Sequence, residues 1–135
     1  MKITFSKKYN INYWKLLDFV DHYNIELIIK LTPINDDIDF EKEFILIEKF
    51  IVPYFKDVTL VEFNTIKREE IPSHYNPCFV DYKLTANNIA KDLLHKLKEL
   101  LLNSKIFVIS VSIKENDGIE VEVVDVNGDM IYGRN

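Results

Sequence analysis

The sequence predicts an α+β domain with a four-stranded antiparallel sheet and two helices on one of its faces. Three patterns support this prediction. Apolar and polar residues alternate in residues 23–31, which is the period of a half-buried strand. Apolar residues recur every three or four positions in 40–55 and again in 85–100, which is the period of an amphipathic helix. Turn residues at 116–118 and at 127–128 predict two tight hairpins near the C-terminus.

The first half of the chain is predicted to form two strands and then a helix. Lys2 to Tyr9 alternates loosely as a strand, whereas residues 10–21 fit either a loop or one helical turn. Residues 23–31 form the second strand. Asp39 can accept backbone N–H groups as the N-cap of the helix that follows, and Pro53 should kink or end that helix. One face of the second strand carries Ile25, Leu27, Ile29 and Leu31.

The second half begins with an irregular stretch, residues 57–83, which is predicted to be a long loop with at most a short strand at 59–63. A loop of this length in a compact domain is usually functional or mobile. Thr85 is predicted to cap the second helix. Residues 106–114 and 119–126 should pair around the turn at Asn116–Gly118. Asn127–Gly128 should then lead into a last strand, Met130 to Tyr132, as a C-terminal hairpin arm.

Composition favours a single domain spanning residues 1–135, with 47% apolar residues available for a core. No apolar run is long enough to span a membrane, and the N-terminus lacks the apolar stretch of a signal peptide. The single cysteine, Cys78, excludes an intrachain disulfide and fits a reducing cytoplasm. The net charge is −5 and the basic residues are dispersed, which argues against a nucleic-acid partner.

Several short motifs occur in an order that resembles the 6-pyruvoyltetrahydropterin synthase and 6-carboxytetrahydropterin synthase family. They are Thr4–Tyr9, Val20–Asn24, Asp39-Phe40, Leu84–Asn88 and Glu115. The resemblance covers nearly the whole chain and implies the tunnelling fold, a ββααββ unit whose sheets join edge to edge into barrel-like oligomers. It therefore implies that the chain associates with itself, as a trimer or a hexamer.

The resemblance also shows which chemical groups the chain has lost. The family binds zinc through three histidines, whose positions hold Tyr9, Val20 and His22 here. The position of the family's cysteine is Leu16, and its catalytic Asp-His pair appears as Asp57-Val58. A catalytic zinc needs about three protein ligands, and neither Leu16 nor a valine can exchange a proton. We therefore predict no zinc cofactor and none of the family's zinc-dependent chemistry.

Ligand binding could survive without that chemistry. In the family, the glutamate at the position of Glu115 receives two parallel hydrogen bonds from a pterin or purine ring, and Thr85 belongs to the neighbouring family motif. The resemblance thus implies Glu115 and Thr85 as ligand-binding residues for a pterin-like or purine-like ring. Without the resemblance, Glu115 would be interpreted as a solvated residue beside a hairpin turn.

Two alternatives remain open at this stage. The chain could be an active lyase or synthase of the pterin or deazapurine pathway, with His22, His74 or Cys78 in rearranged catalytic roles. His74 and Cys78 are four residues apart, but such a pair in a loop is more often unrelated. The chain could instead be a non-catalytic oligomeric interaction subunit without a small ligand.

Overall fold

The computed structural model describes residues 3–63 and 71–126. In these ranges the chain forms six strands, three helices and one 3-10 turn. Their bounds are β1 Phe5–Leu16, β2 Val20–Pro33, α1 Glu41–Phe50, α2 Val52–Phe55, β3 Thr59–Glu62, the 3-10 turn Ser73–Tyr75, β4 Pro77–Val80, α3 Ala86–Leu100, β5 Ile106–Glu115 and β6 Glu120–Val126.

The strands form one sheet in the order β4-β3-β1-β2-β5-β6. The four strands β1, β2, β5 and β6 pair antiparallel, as predicted, whereas β3 and β4 run parallel to β1. The prediction of four strands was therefore wrong, because the stretch interpreted as a loop contributes β4 in addition to the short strand expected at 59–63. β4 begins at Pro77, and a proline is tolerated there because β4 lies at the edge of the sheet.

The first strand is longer than its sequence pattern suggested. β1 pairs with β2 continuously from Phe5 to Leu16, so residues 10–16 are strand and neither loop nor helical turn. The two strands are joined by a tight turn in which the N–H of Leu17 donates to the carbonyl of Phe19 at 3.0 Å. The apolar–polar alternation of β1 could not be recognised in residues 10–16, because one of the buried positions holds a charged residue, Lys15.

The helices cover a single face of the sheet, as predicted, and one apolar core lies between the two layers. Sheet residues of this core include Ile11, Tyr13 and the predicted alternating set of β2. The opposite face of the central strands carries many charged side chains. Its side chains include Lys8, Glu26, Lys30 and Glu122, which form ion pairs with one another at 3.4 and 3.9 Å.

The first helix begins one residue later than predicted, because the N-cap of α1 is Phe40 and not Asp39. The carboxylate of Asp39 accepts the N–H of Glu41 at 3.3 Å at the start of α1. The helical segment breaks at Ile51, and Pro53 lies in the first turn of the short helix α2. The predicted turn between β5 and β6 is closed by Gly118, whose φ of 93° suits a residue without a Cβ atom.

The predicted hairpin arm, with Asn127–Gly128 and Met130–Tyr132, lies outside the described residues. Within the described part of the chain, no helix is long and apolar enough to cross a membrane.

Candidate functional site

Glu115, the residue expected to anchor a ring, lies in a buried polar cluster at the end of β5. Its Oε2 atom is 2.6 Å from the Nζ atom of Lys15, and the hydroxyl of Tyr13 donates to the same oxygen at 3.0 Å. The side chains of Lys15 and Glu115 are only 4% and 1% exposed. The carboxylate is therefore already paired inside the chain, and the expectation of a solvated glutamate is wrong.

Strand alternation and register bring these groups together. Tyr13 and Lys15 point to the helix-covered face because they alternate along β1 with the outward-facing Asn12 and Trp14. Glu115 pairs with Ile25 of β2, which in turn pairs with Ile11 of β1. The cluster thus joins β1 and β5 across the intervening strand, and no local motif in the sequence indicated it.

The electrostatics of the cluster favour a neutral phenol beside a charged pair. Burial, followed by the negative charge of Glu115, raises the pKa of Tyr13 far above its ordinary value of 10.0. The phenol therefore stays protonated and donates its hydrogen bond. The ring of Tyr23 lies 4.0 Å from the ammonium of Lys15 and adds a cation–π contact. Burying two charges is costly, and close pairing with these further contacts offsets the cost.

The positions that correspond to the family's zinc ligands do not come together. Tyr9 lies on the same face of β1 as the buried residues Ile11 and Tyr13, and its hydroxyl donates to Glu48 of α1 at 2.8 Å. His22 instead points to the opposite face, where its Nε2 atom lies 3.0 Å from the Oδ1 atom of Asn12 and its ring packs on Trp14 at 5.1 Å. Val20 supplies no ligand atom. Among the described residues, no group of three His, Cys, Asp or Glu side chains could hold a metal ion, so these residues do not fit a catalytic zinc.

His74 and Cys78, the possible replacement pair, lie on different sides of the sheet. His74 lines a cavity with Trp14 and Asp57 on the face away from the helices. Cys78 pairs with Leu60 of β3 and lies on the helix-covered face, where it forms a hydrogen bond with Tyr54. Burial is the largest influence on this thiol and raises its pKa above the ordinary 9.0. Since the thiolate is the reactive form, this environment does not activate the sulfur.

Thr85 and the pair Asp57-Val58, which the resemblance also named, have different surroundings in the structure. The hydroxyl of Thr85 accepts the N–H of Asn88 at 3.2 Å, so Thr85 is the N-cap of α3 as predicted. Val58, at the position of the family's catalytic histidine, is buried in the apolar core, and the adjacent Asp57 is exposed.

A cavity of about 320 Å³ lies beside Glu115. It is lined by Asn10, Asn24, Ile25, Glu26, Lys114, Glu115, Asn116 and Gly118. The carboxylate of Glu115 does not define this cavity, because the side chain is occupied on the helix side by Lys15 and Tyr13.

Comparison with solved structures identifies the class of fold. The 6-pyruvoyltetrahydropterin synthase of Plasmodium vivax, in a variant of a catalytic residue, superposes with a TM-score of 0.75 at 13% identity, covering 94% of this chain and 99% of that one. The Plasmodium falciparum enzyme gives 0.70 at 15% identity, covering 93% and 99%. An uncharacterised protein from Wolinella succinogenes gives 0.68 at 11% identity, covering 91% and 98%.

The chain is therefore an α+β protein of the tunnelling-fold class. The solved structures described above include those of 6-pyruvoyltetrahydropterin synthases, so the sequence resemblance predicted the class of fold correctly but not the number of strands.

Sequence comparison adds a different relative. No family model matches the chain. The poly(A) polymerase catalytic subunit of canarypox virus is 27% identical over an alignment 135 positions long, which covers 93% of this chain and 28% of that protein. The chain thus spans less than a third of the length of this relative.

Proposed function

We propose that this chain is a divergent member of the 6-pyruvoyltetrahydropterin synthase family that keeps the fold without the zinc-dependent chemistry and works as a non-catalytic, self-associating subunit. The ordered motifs in the sequence and the likeness to the Plasmodium enzymes support the family assignment. Localisation in a reducing cytoplasm is a further prediction, based on the single Cys78.

The observation that carries this proposal is that residues at the family's chemical positions are paired within the chain. Glu115 is held by Lys15, and Tyr9 is held by Glu48. The hydroxyl of Thr85 is used to cap α3. A binding site needs groups that are available to the ligand, whereas each of these groups already has a partner inside the chain.

The canarypox relative is consistent with a module that works by association, because a similar sequence there forms part of a larger protein. The polymerase activity in that protein's name is not proposed for this chain. Nucleotidyl transfer by polymerases uses two metal ions, and the described residues offer no group of acidic or histidine ligands that could hold one.

Metal analysis together with an activity assay tests the proposal. The protein, purified from zinc-supplemented medium, is expected to contain far less than one zinc per chain and to leave a dihydroneopterin-type substrate unchanged. One zinc per chain that is lost in His22→Ala, or turnover of that substrate above the level of a blank, would show that a rearranged enzyme is the correct alternative.

A second candidate function, binding of a pterin-like or purine-like ring, is favoured by the composition of the Glu115 cluster. Lys15 is a hydrogen-bond donor and Glu115 an acceptor, and they lie side by side. The amide edge of such a ring presents a carbonyl next to N–H groups and would complement both. Such a ring would have to separate the ion pair, which opposes binding because each buried charge then needs a new partner.

Calorimetric titration with neopterin, biopterin and guanine distinguishes the two candidates. If the ring binds, Glu115→Ala should lose about one to three orders of magnitude in affinity. Glu115→Gln should also lose most of the affinity, because one acceptor oxygen becomes a donor. Thr85→Ala should also weaken binding if this residue contacts the ring. Absence of binding by the parent protein at millimolar ligand leaves the non-catalytic subunit as the function.

A further inference from the structure

A cavity of about 350 Å³ opens on the face of the sheet opposite to the helices, and aromatic residues form much of its wall. Trp14 places it on that face, since Trp14 and the inward-pointing Lys15 are consecutive residues of β1. The cavity is therefore separate from the cluster around Glu115. Its lining consists of Trp14, Val20, Asp57, Thr59, His74 and Tyr75.

Hydrogen bonds to three backbone carbonyls hold the wall of this cavity in place. The hydroxyl of Thr59 donates to the carbonyl of Tyr75 at 2.7 Å, and the N–H of Thr59 donates to the carbonyl of Asn76 at 3.1 Å. The N–H of Asp57 donates to the carbonyl of Asn12 at 2.7 Å. These bonds tie the 3-10 turn, the start of β3 and the middle of β1 to one another.

One residue of the lining, Asp57, and Asn76, which follows the lining residue Tyr75, have an uncommon backbone conformation. Asp57 has a φ of 58° and Asn76 a φ of 50°, and they are the non-glycine residues with positive φ in the described chain. The side-chain amide of Asn76 donates to the carbonyl of Asp57 at 3.3 Å and links the two. Aspartate and asparagine tolerate this conformation better than most residues, so the carboxylate of Asp57 is presented from a defined backbone.

The rings at the cavity are also supported by neighbours. Trp14 packs against His22 with their centroids 5.1 Å apart, and His22 is held by Asn12 at 3.0 Å. His74 packs against Tyr75 at 4.5 Å, and Tyr75 remains 41% exposed. The aromatic surface is thus positioned before any ligand arrives and is still accessible to one.

The charge of the lining selects the ligand class. Asp57 contributes a negative charge, and the residues of the lining that the structure describes include no lysine or arginine. The faces of aromatic rings carry negative partial charge and attract cations, and sites of this composition recognise alkylated ammonium groups. We propose that this cavity binds a small organic cation of the quaternary or methylated ammonium class, with Trp14 and Tyr75 as aromatic contacts and Asp57 as the counter-ion.

Tryptophan fluorescence reports on this site directly, because Trp14 is the only tryptophan of the chain. The probes are choline chloride and its uncharged isostere 3,3-dimethylbutan-1-ol, titrated at equal ionic strength. Choline is expected to change the emission saturably in the millimolar range. The alcohol, which has the same shape without the charge, should bind at least ~10-fold more weakly because it lacks the cation–π attraction.

Matched variants test which side chains are responsible for choline binding. Asp57→Asn removes the charge and keeps a residue that tolerates positive φ, so it should fold normally and weaken choline binding at least ~10-fold. Tyr75→Leu removes an aromatic contact and should also weaken it. Glu120→Gln removes an exposed carboxylate of β6, away from the cavity, and should bind like the parent.

The inference is overturned by any of three results. These are no saturable change with choline, equal affinity for the alcohol, and choline binding by Asp57→Asn that equals the parent's. None of these results bears on the zinc and substrate assays above, so the two proposals stand or fail separately.

Discussion

The ammonium of Lys15 and the carboxylate of Glu115 lie 2.6 Å apart between the sheet and its helices, with both side chains almost fully buried. The strands that carry them, β1 and β5, are not neighbours, because β2 lies between them. This ion pair therefore links β1 to β5 across β2. It also occupies the carboxylate that the resemblance assigned to a bound ring.

We expect Lys15→Met to destabilise the fold strongly. The substitution leaves the Glu115 carboxylate buried without its cation, and loss of one member of a buried pair costs about 3–5 kcal/mol. Urea unfolding followed by circular dichroism measures the free energy of unfolding. The double variant Lys15→Met, Glu115→Gln should recover part of the loss, because it no longer buries an unpaired charge.

The matched control for this prediction is Lys7→Met. Lys7 also pairs with a glutamate, Glu48, at 3.1 Å, but both side chains are about half exposed, at 50% and 42%. An exposed pair contributes about 0–1 kcal/mol. Equal losses of stability in Lys7→Met and Lys15→Met would contradict a special role for the buried pair.

Stability is expected to decrease at alkaline pH. The pKa of Tyr13 is raised in the folded chain, chiefly by burial and then by Glu115, whereas an unfolded tyrosine titrates near 10. A raised folded pKa gives stability that is complete below pH 10 and is lost as the pH rises above that value. One such group lowers the free energy of unfolding by about 1.4 kcal/mol per pH unit there.

Urea unfolding at pH 9, 10 and 11 measures this slope in the parent and in Tyr13→Phe. The variant should show a shallower decrease, because phenylalanine has no proton to lose. Tyr75→Phe, at an exposed position, is the control and should retain the parent's slope. The explanation fails if Tyr13→Phe decreases as steeply as the parent.

The chain is expected to form a trimer or hexamer in solution. The sheet ends on one side in β6, whose outer edge pairs with no other strand among the described residues, and β6 exposes Val124 and Val126 at 51% and 39%. Free edges commonly pair with another chain, and charged residues on them prevent it. Light scattering should therefore give three or six chains for the parent and fewer for Val124→Lys.

Ile45→Lys is the control for that experiment, since it places the same charge at a similarly exposed apolar position, 56% exposed, on α1. It should assemble like the parent. A parent protein that is monomeric at micromolar concentration would refute self-association altogether.

Thr85→Ala should cost about 0.5–2 kcal/mol of stability, because it removes the oxygen that accepts the N–H of Asn88 at the start of α3. Thr85→Ser keeps a hydroxyl at this position and should be close to the parent. Thermal or urea unfolding of the two variants measures the difference, and equal loss in both would mean that the methyl group, not the cap, matters.

Much of the fold could be predicted because its signals are local. The alternation in β2 and the helical periods of α1 and α3 each lie within a short stretch of chain. The end of β1 was missed because Lys15 interrupts the apolar alternation, and its burial depends on a glutamate near the other end of the chain. β4 was missed because Pro77 and the neighbouring asparagine are typical of turns.

The sequence by itself determined the order along the chain of β1, β2, α1, α3, β5 and β6, the capping of α3 by Thr85 and the shortage of zinc-ligand residues at the family's positions. Each of these depends on residue type or on spacing within one element. Only the tertiary structure decided that Glu115 meets Lys15, that His74 and Cys78 lie on opposite sides of the sheet, and that Trp14 and Asp57 share a cavity. These relationships depend on which strands pair and in which register, and that is decided by packing of the whole core, not by any local pattern.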